Sequence, residues 1–288
     1  MRVIRTLFVS VFVLVFGVVL GVGLIEAGLR FMQPAPKSQP ARVAITHLTL
    51  PADLARVAQA KPEDWLVFGA ATAAGQGVKA DEAFPALLSK KIDYPVYNLA
   101  APGGAGYLQS IAEQARKLGA KAENTVIALD IGNGFAGYAQ QQPDLKTVAA
   151  APKRSCLLGW LQHLRLYQLV KGNLQPAPKV TPNRADVERV VDALEMFKAQ
   201  NKRLIVLVIP AADTWHNVKS AEAQEAVANA LRRRGFFAVD LKFMLDREFT
   251  NPARDAYTPE GYLNATGHDV AAKAVVKQIE VMESWKKQ

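Results

Sequence analysis

The run Trp65-Leu66-Val67-Phe68-Gly69-Ala70-Ala71-Thr72-Ala73-Ala74-Gly75-Gln76-Gly77 constrains the fold more than any other stretch of this chain. Consecutive apolar residues ended by a glycine and a string of small residues read as a short strand, covered on both faces, that turns sharply at its carboxyl end. A helical pattern from Phe84 to Lys91 follows. Strand, tight turn and helix make the βα unit of a parallel sheet, and the tip of such a turn is where a hydrolase displays a nucleophile. The residue at this tip is Ala71.

The same alternation continues along the chain. Further short apolar runs predict strands at Val96 to Leu99, Thr125 to Asp130, Arg203 to Ile209 and Phe236 to Val239. Helical patterns fall at Tyr107 to Leu118, Asp186 to Gln200, Ala221 to Arg234 and Gly267 to Trp285. Alternating β and α units predict an α/β fold, a three-layer α/β/α sandwich around a five-stranded parallel sheet. Leu157 to Val170 reads as an inserted helix, after which Gly172 to Pro182 returns the chain to the sheet. No internal repeat interrupts this pattern, and 288 residues with 50% hydrophobic content suit one sizeable core.

The amino terminus is of another kind. Met1-Arg2-Val3-Ile4-Arg5-Thr6 precedes nineteen residues, Leu7 to Ile25, that carry no charge. At a rise of ~1.5 Å per residue such a helix spans a ~30 Å hydrocarbon core with help from its flanks. The run is long for a secretory signal, and Ile25-Glu26-Ala27 makes a poor cleavage site, so residues 1–32 are expected to stay as an N-terminal transmembrane signal anchor. Gly17-Val18-Val19-Leu20-Gly21 in that helix has the small-residue spacing that permits close helix packing. Gln33-Pro34-Ala35-Pro36-Lys37-Ser38-Gln39-Pro40 opens a Pro-rich linker assigned to residues 33–62, with the globular domain at 63–288. Basic residues flank both ends of the apolar run, Arg2 and Arg5 against Arg30, Lys37 and Arg42, so charge alone does not orient it.

The formal net charge is +9, and residues after Lys37 carry +6 of it, spread along the chain. That suits solubility and weak attraction to anionic surfaces. No stripe of Arg, Lys and aromatic residues marks a nucleic-acid binder. The single Cys156 cannot form an internal disulfide, and four scattered histidines (His47, His163, His216, His268) show no metal-ligand spacing, so no metal and no cofactor is expected.

Three further blocks stand beside the Gly69 turn: Tyr97-Asn98-Leu99-Ala100-Ala101-Pro102-Gly103-Gly104, Ile131-Gly132-Asn133-Gly134, and Tyr262-Leu263-Asn264-Ala265-Thr266-Gly267-His268. With the turn, they make residues 63 to 285 resemble the SGNH/GDSL hydrolase superfamily, particularly its membrane-anchored bacterial members. The resemblance implies a flavodoxin-like strand order and a globular part outside the cytoplasmic membrane, in the periplasm or at the outer surface. It also implies an active site, which this chain has lost. Where the family pattern reads Gly-Asp-Ser, this chain has Gly69, Ala70 and Ala71. Alanine has no nucleophilic atom, which removes covalent acyl transfer there, and Thr72 is one residue out of register. Where the family carries Asp-x-x-His, this chain has Pro259 and Tyr262. A phenol with pKa near ~10 is a poor general base at neutral pH, and proline orients nothing by hydrogen bonding. The oxyanion-hole positions keep their types: Gly103 matches the glycine donor and Asn133 the asparagine. His268 occupies a place that is structural in the family.

Gly103 and Asn133 are therefore the expected binding residues. Asp213-Thr214-Trp215-His216, with Asp-x-x-His spacing after the fourth strand, makes Asp213 and His216 weaker candidates. The expected protein is a non-catalytic pseudo-hydrolase that binds an acylated or glycan ligand or scaffolds a cell-envelope or exopolysaccharide system. Two alternatives stay open. One is an active esterase or O-acetyltransferase on envelope polysaccharide; the other is a structural subunit of a membrane protein complex, with Tyr262 filling the cleft.

Overall fold

The computed structural model describes residues 51–102, 104–132, 135–139, 182 and 184–285. The anchor over Leu7 to Ile25, the binding candidates Gly103 and Asn133, Cys156, His47, His163 and the inserted helix at Leu157 to Val170 lie outside the described residues. Among the described residues no helix is long and apolar enough to cross a membrane.

Five strands form the sheet: β1 (Trp65–Gly69), β2 (Val96–Asn98), β3 (Asn124–Asp130), β4 (Arg203–Ile209) and β5 (Phe237–Asp240). Every neighbouring pair is parallel, and the order is β2-β1-β3-β4-β5. This is the flavodoxin-like order. The chain starts at β1, steps outward to β2, and then crosses back to β3, so the carboxyl ends of β1 and β3 flank the point where the connections diverge.

The helices are α1 (Phe84–Lys91), α2 (Leu108–Lys117), α3 (Phe135–Ala139), α4 (Arg184–Gln200), α5 (Val218–Arg233), α6 (Leu241–Glu248), α7 (Pro252–Asp255) and α8 (Ala265–Trp285). Successive side chains on a strand point to opposite faces, which sorts the core into two layers. Leu66, Phe68, Ile127, Leu129, Val206 and Val208 meet residues of α2, α4 and α5 on one side. Trp65, Val67, Val126, Ala128, Ile205 and Leu207 meet α1, α6 and α8 on the other. Burial on both faces explains why the strands read as unbroken apolar runs.

Among the described residues the expected elements are present with ends shifted by a few residues. Helices α3, α6 and α7 were not anticipated. All three are short, and α7 is a single turn begun by Pro252 after Asn251. The start of the domain needs a correction. Residues 51–62, assigned above to the linker, belong to the packed unit: two 3₁₀ turns, Ala52–Ala55 and Val57–Gln59, bury Leu54, Val57 and Ala60 in the core. A 3₁₀ turn repeats every ~3 residues, so this spacing puts the three side chains on one face. Asp53 then accepts a 2.9 Å hydrogen bond from the backbone N–H of Asn98 on the edge strand β2.

Candidate functional site

The turn after β1 is closed against the sheet. A Cβ on Gly69 would lie 2.7 Å from the Cβ of Ala73 and 2.9 Å from the carbonyl oxygen of Ala128 on β3, so this close approach admits only glycine. The turn winds back on itself through bonds from the N–H groups of Ala74 to Ala70 O, Gly75 to Thr72 O and Gln76 to Ala71 O, each 3.0 Å. Ala70, Ala71, Thr72 and Ala73 are all buried, and Ala71, at the tip where a nucleophile would stand, is 3% exposed.

Beneath that turn the polar groups pair with one another. The hydroxyl of Thr72 donates to Oδ2 of Asp130, at the end of β3, while Oδ1 accepts from the N–H of Gly132 at 3.0 Å. Tyr138 of α3 donates to Ala128 O at 2.8 Å, and Tyr257, after α7, donates to Pro210 O at 2.8 Å. Burial raises both phenols above their ordinary range, and the Asp130 carboxylate raises them further. Both therefore stay protonated and act as fixed donors. Thr72 is as buried as Ala71, and its hydroxyl proton is engaged by the Asp130 carboxylate.

The structure brings the acid–base block to the same place. Tyr257 and Leu263 pair in an antiparallel bridge, and the intervening turn closes with a bond from Thr258 N–H to Tyr262 O at 2.7 Å. Gly261 takes φ 86°, the left-handed conformation this turn needs. A Cβ on Gly77 would lie 3.2 Å from Cγ2 of Thr258 and 3.6 Å from Cβ of Tyr262, so the two turns touch. Pro259 is exposed. Tyr262 is half-buried.

The remainder of that block is scaffold. Asn264 caps α8: its Oδ1 accepts from Gly267 N–H at 3.0 Å and its Nδ2 donates to Asp255 O at 2.9 Å. Gly267 packs its Cα against Ala256 O, leaving no room for a side chain. His268 is fully buried, stacks on Phe84 at 6.3 Å, and its Nδ1 accepts the Phe84 N–H at 3.1 Å. Burial lowers its pKa to about 4. The imidazole is thus neutral and joins α8 to the first residue of α1, the structural role the resemblance implied.

Oδ2 of Asp213 accepts from Nδ2 of Asn217 at 3.2 Å, and Asn217 in turn caps α5 through Lys219 N–H at 3.1 Å. His216 is exposed. It lines a groove of about 670 Å³ at the carboxyl ends of β4 and β5, walled by the start of α5 and by α6. Trp215 crosses its floor, edge-on to Tyr257 at 5.8 Å, with Nε1 bonded to Asp246 Oδ1 at 2.5 Å. Gln224, Asp240 and Phe243 also line it and escaped the sequence reading. Nothing in a helical periodicity says which face will be left open, and α6 itself was not anticipated. Among the described residues no group of three or more His, Cys, Asp or Glu is arranged to hold a metal ion.

No family model matches the chain, and no curated protein matches it. Solved structures similar to it include TesA, at 13% identity and TM-score 0.47 over 75% of this chain and 98% of that one. A G-D-S-L family protein from Desulfitobacterium hafniense is similar at 14% identity and TM-score 0.46, over 75% and 98%. So is a catalytic mutant of Axe2, an acetylxylan esterase from Geobacillus stearothermophilus, at 12% identity and TM-score 0.46, over 76% and 95%.

Proposed function

We propose that this chain is a non-catalytic protein of SGNH type. In this reading it is held in the bacterial cytoplasmic membrane by one N-terminal helix, and its sandwich lies in the periplasm or outside. It acts as a ligand-binding or scaffolding component of a cell-envelope or exopolysaccharide system. The observation that carries the reading is Ala71: the position that must hold a nucleophile for acyl transfer holds a methyl group, and that methyl group is buried. Pro259 and Tyr262 add the lack of a base. The esterase or O-acetyltransferase alternative would need a nucleophile elsewhere, and neither the buried Thr72 nor the Asn217-bonded Asp213 supplies one.

The test uses the full chain purified from membranes. Incubation with a serine-directed organophosphonate and with short acyl esters is expected to give no covalent label and no hydrolysis above a buffer blank. Reproducible labelling would overturn the reading. Fractionation is expected to leave the protein in the membrane pellet with residues 1–32 retained, and a mature N-terminus near Gly28 in a soluble fraction would remove the anchor from the proposal. The amide of Asn133 is the binding group to test in the expected cleft. Asn133→Ala should weaken capture of an acylated or glycan ligand without changing the melting temperature, whereas a lower melting temperature with unchanged capture would assign Asn133 to folding.

A further inference from the structure

The groove over β4 and β5 has a one-sided chemistry. Its lining holds the carboxylates of Glu222, Glu225, Asp240 and Asp246 but one ammonium group, that of Lys242. Lys242 is already engaged with Asp246 at 2.6 Å. This acidic lining sits in a chain whose formal net charge is +9, so it runs against the average of the molecule.

Below the carboxylates lie two polar side chains that the fold has buried without completing. Gln224 is 1% exposed; its Nε2 donates to Asp240 Oδ1 at 2.8 Å, and its Oε1 has no partner among the described residues. Thr214 is 3% exposed, and its Oγ1 likewise has no partner among the described residues. Both line the groove. Folded proteins pair nearly all of their buried polar atoms, because an unpaired one forfeits its hydration without return. Two such atoms on residues that line one groove, together with its four carboxylates, point to a ligand that brings hydrogen-bond donors and positive charge.

The aromatic and apolar residues narrow the class. The ring of Trp215 has the Lys242 ammonium 5.8 Å from its centroid, and that of Phe243 has the Arg247 guanidinium at 5.9 Å. Val218 and Phe243, 73% and 63% exposed, leave apolar surface at the groove. Acidic walls, orphaned acceptors and exposed apolar flanks together suit a segment that alternates basic and apolar side chains.

We propose that this groove binds a lysine- or arginine-bearing peptide segment of a partner protein, its cationic groups on Glu222, Glu225 and Asp240 and its apolar side chains against Val218 and Phe243. The site is separate from the turn after β1 and goes beyond the reading above, since it holds whether or not that turn has any chemistry.

The test is fluorescence anisotropy with the full chain in detergent micelles and a labelled short peptide alternating lysine and leucine. Two probes serve as controls: the same peptide with every lysine acetylated, and a neutral xylo-oligosaccharide. The basic peptide is expected to bind saturably and to weaken as salt is raised. The exposed pair Glu222→Gln and Glu225→Gln together should lower its affinity about tenfold or more. The acetylated peptide should not bind. Thr214→Val should leave the melting temperature unchanged or higher while weakening the peptide, a combination that a purely structural hydroxyl would not give. Absence of saturable binding by the basic peptide overturns the proposal, as does binding that the glutamine pair leaves unchanged. Displacement of the peptide by the oligosaccharide also overturns it, by assigning the groove to glycan.

Discussion

The carboxyl edge of the sheet is closed over β1 and β3 and open over β4 and β5. At the closed part, Ala70, Ala71 and Ala73 are small enough for the turn to settle onto Ala128, and most polar groups near them are paired, Thr72 and Gly132 on Asp130, Tyr138 on Ala128 O and Tyr257 on Pro210 O, with Gln76 Oε1 the exception. At the open part, Asn217 and Asp240 spend their side chains capping α5 and α6, and Gln224 and Thr214, which line the groove, keep buried atoms with no partner among the described residues. The divergence point between β1 and β3 is where doubly wound sheets usually bind ligands. Open, polar surface lies two strands away, over β4 and β5.

The change expected to act most strongly on the closed side is Asp130→Ala. It strands the Thr72 hydroxyl in the interior, and leaving a buried group of this kind unpaired costs about 1–3 kcal/mol. Chemical denaturation measures it, and a loss below about 1 kcal/mol would mean that water reaches Asp130 and the side is not closed.

His268 gives the next effect. Its folded pKa of about 4 lies below its value of 6.5 when unperturbed, so between those values the unfolded chain binds a proton that the folded chain refuses. The stability is fully present above about pH 6.5 and falls as the pH drops, by about 2 kcal/mol between pH 7 and pH 5. His268→Gln should flatten that part of the profile. A wild-type profile that is already flat would place the imidazole in contact with solvent.

Ala71→Ser restores the missing hydroxyl and is the sharpest test of the comparison. The serine enters a closed turn, so we expect about 1 kcal/mol of destabilisation and no labelling by an organophosphonate. Labelling of that variant would show that the turn opens to a substrate-sized molecule. The smallest effect belongs to the open side. Glu222→Gln with Glu225→Gln should move stability by less than about 0.5 kcal/mol, since both residues are exposed. A larger loss in thermal melts would make the groove part of the folding framework.

Much of the fold was legible in the sequence because it rests on local patterns. Doubly covered strands have to be continuous apolar runs, and β1, β3 and β4 could be read to within a residue on that ground. The alanines at 70 and 71, Pro259 and Tyr262 were equally plain, since a missing nucleophile or base is a property of composition at a position and needs no coordinates. The place of the site was not legible. Whether the turn after β1 lies open or shut depends on Asp130 meeting Thr72 across 58 positions of chain, and the orphaned atoms of Gln224 and Thr214 exist because α5, α6 and the loop after β4 converge without completing them. Sequence by itself determined the layers of the sandwich and the residue types at positions 70, 71, 259 and 262, through side-chain size, polarity and period. Tertiary structure alone decided which end of the sheet stays open, because pairing of buried polar atoms is settled between residues that only the folded chain brings within reach.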